Sequence, residues 1–567
     1  MSDKATAPYN FVSLPQQVLK SPIEGKAESD PERCENYRQH VLQKGNLNGS
    51  IEFSIKTMTP VFVGNGGSEF FSPNGTPVIS GSTIRGMVKN IFKIVTCSAM
   101  RGDNNDADFN DKHLYFRSMA GIKTIRQAYT KRMTSFDPVA KKNKSKAQAG
   151  FLIHNQTDLQ YYMVPTNFKE MDGNQYEVND KSPGIEWNSP GKGQVTTYTG
   201  KMNGKHYYTE HLKPDDWHSR DLVDAAVIQS YKDDTTRKGI SIFDSPYCKK
   251  NAAAAEFVDD DEIDFVAPCF FVREHRGIEH FGFGRYYRIP YQLSIGDHVP
   301  ESLKTNVVDY TDAIFGRKEL WGSRVFFEDA CCDSNSDAQE KPAYSRVLSG
   351  PKPTSYQLYL EQQDFTPYNH WDTKGTSIRG YKFYWHKKED WRKDAQEADK
   401  QTPHKIHPVK AGQVFHGRIR FERLSEDELG ALLKVFELSA KDANLCFKLG
   451  QGKSIGMGSV RIDVNSLKIV NDTCYKQLFT NELRWNPAES EEDIEQYIRK
   501  FDEVLKTHLP DKAYRQYQIS QRELAHLLDW KNINQPDWNK KTQMMSIEDK
   551  NKPFQHRWVL PTASEVE

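Results

Sequence analysis

Ile51, Phe53 and Ile55 alternate with Glu52, Ser54 and Lys56. A period of two suits a strand with one face against a core and the other in water. Pro60-Val61-Phe62-Val63 extends the apolar run, and Gly64-Asn65-Gly66-Gly67 breaks it. After a loop come Pro77-Val78-Ile79 and the turn Ser80-Gly81-Ser82-Thr83, where the period changes. Ile84, Val88, Ile91, Phe92 and Val95 recur at helical spacing, and Ser82 or Thr83 stands where a helix cap is needed. A strand feeding an amphipathic helix through a short turn predicts a layered α+β chain.

The rest of the chain continues that alternation. Phe151-Leu152-Ile153 and Tyr161-Tyr162-Met163-Val164 predict a strand pair, and Val266–Val272 and Tyr286–Tyr291 two further strands. Asp309–Phe315 predicts a short helix. Arg324–Phe327, the alternating Tyr356, Leu358 and Leu360, Tyr381–Trp385 and Phe415–Phe421 predict strands. Ser425-x-x-Glu428 is a capping box ahead of the apolar face Leu429, Leu432, Leu433 and Phe436. Ser490-x-x-Asp493 opens a helix through Ile494, Tyr497, Ile498, Phe501 and Leu505. Residues 1–48, punctuated by Pro15, Pro22 and Pro31, read as an arm ordered only by packing on something else. The stretch 101–148 reads as polar loop, and 170–265, rich in Gly, Asp, Asn, Lys and Pro, as a long insertion with short strands.

Charge narrows the class of partner. Lys+Arg and Asp+Glu each total 77 in 567 residues, so the net charge is zero and any polyanion must meet a local basic patch. Lys123–Lys146 is one such stretch, with eight Lys/Arg and one Asp, and Arg379–Lys388 is free of acids. The aromatic content, 12%, is too high for a disordered chain and suits single-stranded nucleic acid as well as β-rich cores. No run approaches the length of a membrane span, Met1–Lys20 lacks the apolar core of a secretion signal, and there is no C-x-x-C. Free thiols in the cytoplasm, with neither metal site nor cofactor, are the expectation.

Two motifs carry chemistry. Gly81-Ser82-Thr83-Ile84-Arg85-Gly86 recurs as Gly375-Thr376-Ser377-Ile378-Arg379-Gly380. Such an echo marks either a duplicated unit or chance. Physically, the glycine permits a tight turn, and the hydroxyls can cap a helix whose N–H groups face a phosphate. The alternative is a plain strand–helix junction with a surface Arg. The second motif, Lys448-Leu449-Gly450-Gln451-Gly452-Lys453-Ser454-Ile455-Gly456-Met457-Gly458, puts four glycines within nine residues. It fits neither the Walker A spacing nor a Rossmann fingerprint. It is either a phosphate cradle or a structural glycine-rich hairpin.

Together these features resemble the RAMP superfamily of CRISPR-associated proteins, in particular a long, double-module branch associated with type III CRISPR loci. Further segments continue the likeness: Tyr287–Tyr291 with Ser294–Asp297, Asp312–Gly316, Arg324–Phe327, Ser349–Gln357 and Ile378–His386. The resemblance spans Gly49 to Ile462 and implies two ferredoxin-like, RRM-like modules that hold RNA. It implies RNA contacts at Gly81, Ser82, Arg85 and Lys89 in the first module. In the second it implies Arg379, Lys382, Lys448, Gly450, Gly452, Lys453 and Ser454, with Tyr381 and Trp385 as stacking candidates or sheet core. Cleaving relatives carry an Asp in the loop after the first strand. Here that loop, Gly64–Ser72, has none, and Glu69 is its single carboxylate. His113, His154 and His386 are candidates for a general base, with no spacing that selects one.

The expected organisation is an arm (1–48), the start of a first module (49–169), an insertion (170–265), the remainder of that module and a connection (266–345), a second module (346–470) and a helical extension with tail (471–567). The expected role is to bind CRISPR RNA and the guide–target duplex beside other subunits of a type III effector in antiviral defence. The rival classes are an endoribonuclease that matures guide RNA or cuts target RNA, and an assembly subunit without RNA contact.

Overall fold

The computed structural model describes residues 4–566 apart from 65–66, 102–111, 118–122, 140, 172–183, 188–192, 203–204, 236, 238–239, 244–251, 259, 275–276, 334–337, 347–352, 363–367, 394–404, 472–476, 480, 483, 486–488, 547–548, 552 and 555. The expected family segment at 349–352 and part of the 170–265 stretch lie outside the described residues.

The strand Leu47–Thr57 is the centre of the molecule. It pairs antiparallel with Val414–Leu424 on one side and Ser459–Val470 on the other. Val325–Phe327 and Ala330–Cys332 add to the far side of Val414–Leu424. In chain order this is strand, helix (Gly81–Val95), strand, strand, helix (Glu426–Lys441), strand, and the sheet runs fourth–first–third–second. That is the ferredoxin-like order. Ile51, Phe53 and Ile55 share one buried core with Ile84, Val88 and Ile91 of the first helix and Leu429, Leu432 and Leu433 of the second. The chain is therefore α+β as expected.

The expected boundary between two modules does not follow the sheets. Strands assigned to the second module flank the first strand, so both ends of the chain close one sheet. The echo Gly375–Gly380 does not open a helix. It leads into the strand Tyr381–Tyr384, which pairs with Tyr9–Val12. Gly380 has φ +136°, and a Cβ there would stand 1.9 Å from the Val12 carbonyl oxygen. Glycine at that position serves a close backbone approach.

Between the first helix and the second strand of this unit lies a second sheet. Its order is Asp221–Leu222, Gln160–Thr166, Gln148–Asn155, Ile263–Glu274 and Gly277–Gly282, with a separate core around Phe151, Ile153, Val266 and Phe271. The expected strand pair at 151–164 is thus present, and strands on both sides of the 170–265 stretch share one sheet. Four more strands, Phe168–Met171, Gly184–Trp187, Gln194–Met202 and Lys205–Leu212, form a sheet largely within that stretch.

Several local expectations change. The basic stretch read as loop is a helix, Lys123–Met133, and a hairpin, Thr134–Asp137 with Lys142–Ser145. Tyr356–Tyr359 is a short helix, ended where Leu360 turns extended and bridges to Ile378. Of Tyr286–Tyr291 only Ile289–Pro290 is paired, with Tyr115–Phe116. The capping box Ser425/Glu428 forms as predicted. At the later helix, Ile494–His508, Asp493 accepts from the Glu495 N–H, while Ser490 belongs to the strand Glu489–Glu491. Residues of the expected arm pack on the chain itself: besides the Tyr9–Val12 strand, the Ser13 N–H and hydroxyl donate to Glu523 at 2.7 and 2.9 Å, and Asp30–Val41 is helical.

Among the described residues no His/Cys/Asp/Glu cluster could hold a metal, and no helix is long and apolar enough to cross a membrane.

Candidate nucleic-acid interface

The Gly81–Val95 helix begins where the sheet allows it. A Cβ at Gly81 would stand 2.1 Å from the Phe327 carbonyl oxygen, so only glycine lets the helix start against that strand. Ser80 is the N-cap residue, and its hydroxyl lies 3.1 and 2.9 Å from those of Ser82 and Thr83. The expected cap at Ser82 or Thr83 is therefore two or three residues late. The Gly81 N–H donates to Asp329 Oδ1 at 2.7 Å. A carboxylate of the protein thus meets the positive end of this helix, and Gly81 itself is not an open phosphate donor.

The side of the helix beyond that end faces the glycine-rich hairpin. Ser82, Thr83, Gly86 and Asn90 line one wall of a groove of about 600 Å³; Lys448, Gly450, Gln451 and Lys453 line the other. Phe62, Val63 and Leu449 also contribute, as do Lys382 and Tyr384 from the strand Tyr381–Tyr384. Two motifs more than 350 residues apart in the chain meet here beside the segment Phe62–Gly64, where the Gln451 N–H donates to the Phe62 carbonyl at 2.9 Å. Three lysines line the groove, and no carboxylate does among the described lining residues.

Each lysine is held differently. Lys448 is buried, and its Nζ donates to the Met457 carbonyl at 2.9 Å. Burial, then the charges of Lys387 and Lys453, pushes its pKa down to about 7. Lys453 is half-buried, and burial lowers its pKa too. The Lys382 ammonium sits 3.8 Å from the centroid of the Tyr9 ring and 5.1 Å from that of Tyr384, a cation–π cage.

The glycines divide by purpose. Gly450 and Gly452 have φ +75° and +71°; a Cβ would meet the Phe62 carbonyl oxygen at 2.5 Å and the Met457 sulfur at 2.5 Å. They are required by the hairpin's own backbone. Gly86 is the opposite case: it is helical and exposed, and a Cβ there would meet nothing within 4 Å. A mid-helix glycine costs about 1 kcal/mol relative to Ala, and no contact in the protein offsets that. Its place on the groove wall leaves room for a ligand chain.

Other residues expected at the site lie elsewhere. Arg85 donates to the Phe315 carbonyl at 3.0 Å, and both Arg85 and Lys89 stand over the Phe315 ring, at 5.3 and 5.6 Å, away from the groove lining. Burial, then Lys93 and Arg85, lowers Lys89 to about 8. Arg379 donates to the Leu560 carbonyl at 2.5 Å, which ties it to the C-terminal tail. Trp385 is 1% exposed and packs edge-on against Trp538 and His526, so it cannot stack on a base. Tyr381 packs against the core with its hydroxyl buried. Ser454 is half-buried in the turn Lys453–Ile455, off the groove lining. Glu69 is exposed, with Oε2 3.1 Å from His407 Nδ1. His386 is buried between Ser459 and the Cys446 carbonyl, and burial pushes it down to about 3.

Sequence reasoning did not single out Asn90, Gln451 or the Phe62–Gly64 rim; the one available signal was the second glycine of the G-S-T-I-R-G turn. The open face of the sheet is a weaker candidate for a polyanion. Basic side chains there are already paired, Arg418 and Arg420 with Glu328 at 3.0 and 2.9 Å, and Lys468 with Glu52 at 2.8 Å.

Comparison with known proteins gives three results. The crystal structure of Thermofilum pendens Csc2 is similar at 10% identity and a TM-score of 0.22, covering 86% of this chain and 90% of that one. A chain of the cryo-EM structure of the Type III-B Cmr-beta complex bound to cognate target RNA is similar at 10% identity and a TM-score of 0.17, covering 74% of this chain and 97% of that one. Scores this low do not establish a shared fold. No curated protein matches. The RAMP superfamily model matches residues 54–461, a span that contains both crossover helices and both walls of the groove, and the chain belongs to that superfamily.

Proposed function

We propose that the groove holds the sugar–phosphate backbone of RNA, and that the chain is an RNA-binding subunit of a type III CRISPR effector. Its ligands are CRISPR RNA and the duplex of guide with target, and its neighbours are other subunits of that complex. The observation that carries this reading is the meeting of Gly86 with Lys382, Lys448 and Lys453 around one groove lined by no carboxylate among its described residues. Recognition of this kind is of backbone and shape, with base pairing supplying the sequence.

Holding is favoured over cutting. The described lining residues include neither His nor carboxylate to move a proton. An assembly role without RNA is disfavoured by the same lysines, which lack an acidic partner within the groove.

Filter binding of RNA to the purified chain at increasing salt tests the reading. Affinity falls steeply, with the log–log slope steepening by roughly 0.7–0.9 for each phosphate contact. A flat salt response overturns it.

A further inference from the structure

The groove strand Tyr381–Tyr384 is completed by the far end of the chain. Among the described residues it has one neighbour in its sheet, the arm strand Tyr9–Val12. Phe11 stands opposite Lys382, and Tyr9 opposite Tyr384. Alternation along both strands puts these side chains on one face. Tyr9 is thus diagonal to Lys382, within reach of a long side chain. Tyr9 is 2% exposed, and its ring centroid lies 3.8 Å from Lys382 Nζ; those of Tyr384 and Tyr359 lie at 5.1 and 5.8 Å. The Tyr9 hydroxyl donates to that of Tyr359 at 3.2 Å, which ties the two rings together.

How this lysine is held decides what its charge can do. No carboxylate or carbonyl among the described residues pairs with it, and burial is the cause that lowers its pKa. On the open face of the sheet carboxylates hold the basic side chains, as Glu52 holds Lys468, and cancel their charge. A ring face attracts a cation through its quadrupole and carries no net charge of its own. The cage therefore fixes Lys382 and leaves its positive charge to act on the groove. The arm is fastened apart from the cage. The Trp385 N–H donates to the Pro8 carbonyl at 3.0 Å, the Ala5 N–H to the Val559 carbonyl at 2.9 Å, and Asn10 Nδ2 to the Pro561 carbonyl at 3.1 Å. Removing the Tyr9 ring leaves those bonds their donors and acceptors.

We propose that Tyr9 is a positioning residue of the groove: its ring holds the Lys382 ammonium ready for an RNA phosphate, so that docking of the amino-terminal arm and RNA binding are coupled. The inference rests on the reading of the groove as an RNA site. A lysine that is free to turn must be ordered when it binds, and the cage meets that cost in advance. Coupling of two equilibria is reciprocal, so RNA that engages Lys382 also holds the arm strand in place.

A double-mutant cycle on the full chain, read by filter binding of RNA, tests it. Lys382→Ala weakens binding and lowers the salt slope by about 0.7–0.9, one phosphate contact. Tyr9→Leu, which keeps an apolar side chain without a ring, weakens binding roughly two- to tenfold, the cost of ordering one long side chain. Tyr9→Phe keeps the ring and retains the affinity that Tyr9→Leu loses. In the Lys382→Ala background Tyr9→Leu has no further effect. The cycle decides even where Tyr9→Leu loosens the arm, because a loss that does not run through Lys382 weakens the Lys382→Ala chain as well. Hydrogen exchange gives a second readout: RNA slows exchange of the Tyr9–Val12 amides in the native chain and not in Lys382→Ala. Additive losses overturn the proposal, as does unchanged or tighter binding in Tyr9→Leu or Lys382→Ala, an equal loss in Tyr9→Phe, or exchange that RNA slows alike in both chains. The groove reading survives each of these outcomes when Lys453→Ala still weakens binding. A flat salt response of the native chain overturns that reading and this inference together.

Discussion

Arg324 and Glu428 form a two-pronged ion pair inside the protein. Arg324 Nη1 reaches Glu428 Oε2 at 2.9 Å, Nη2 holds Oε1, and the Glu428 residue is fully buried. Oε2 also accepts from the Ser425 N–H at 2.9 Å, and His40 Nε2 lies 3.1 Å from Oε1. The capping-box carboxylate therefore ties the Glu426–Lys441 helix to the strand beginning at Val325. Glu428→Gln leaves Arg324 buried without its counter-charge and should cost about 3–5 kcal/mol in urea unfolding. A loss under about 1 kcal/mol would mean that water reaches the pair. Burial alone would raise the Glu428 pKa, but hydrogen bonding from His40 and the charge of Arg324 outweigh it and hold it at about 2, below the ordinary 4.5. The contribution is full above pH 4.5 and is lost as pH falls toward 2. Acid unfolding should accordingly be shallower in Glu428→Gln than in the native chain.

Lys453→Ala should weaken RNA binding alike for all sequences and lower the salt slope by about 0.7–0.9, one phosphate contact, with the melting temperature unchanged. Gly452→Val should behave differently. Its φ of +71° and the Met457 sulfur 2.5 Å from the new Cβ make it destabilising by a melting assay whether or not RNA binds. Unchanged RNA affinity in Lys453→Ala would remove that lysine from the RNA site.

Gly86 separates stability from binding in the other direction. Gly86→Ala should raise stability by up to about 1 kcal/mol, since the position is helical and open. Gly86→Leu should keep the fold and reduce RNA affinity by filling the groove. Equal RNA affinity across glycine, alanine and leucine at this position would show that no ligand chain passes there.

The buried Lys448 links the groove to pH. With its pKa near 7, it loses its charge as pH rises through neutrality, so RNA affinity should fall between pH 6 and 8. Stability should move the opposite way. The unfolded chain holds this proton up to an ordinary lysine pKa of 10.5, so between about 7 and 10.5 it binds more protons than the folded one, and stability rises with pH. Titrating binding and melting on the native chain and on Lys448→Met isolates both effects. A pH response of RNA affinity that persists in Lys448→Met would assign it to another group.

What the sequence made legible is local. Alternation at Ile51–Ile55, the apolar face at Ile84–Val95, the pair at 151–164 and the box at Ser425 all reappear, because each is set by residues within one element. The partners of Leu47–Thr57 were not legible. Nothing within that strand says that residues from 414 and 459 onward flank it. The echo at Gly375 misled for a physical reason: the same six-residue pattern serves a strand contact with Val12 there and a helix start at Gly81. At the site, the hairpin lysines that residue type singled out do line the groove, but orientation was not legible. Arg85 and Lys89 carry the right charge and are covered by Phe315.

The central position of Leu47–Thr57 also bears on how the chain is made. During synthesis this strand emerges about 350 residues before its first long partner at Val414. At usual elongation rates of about 5–20 residues per second, that is roughly 20–70 s. Through that interval Ile51, Phe53 and Ile55 have neither neighbouring strand in place, and an unpaired apolar strand is a template for association with other chains. The inserted sheet, whose strands lie within 148–282, can close early and on its own core. The ferredoxin-like unit is then the last part to form, and a nascent chain halted before Ser459 would expose one whole edge of its central strand.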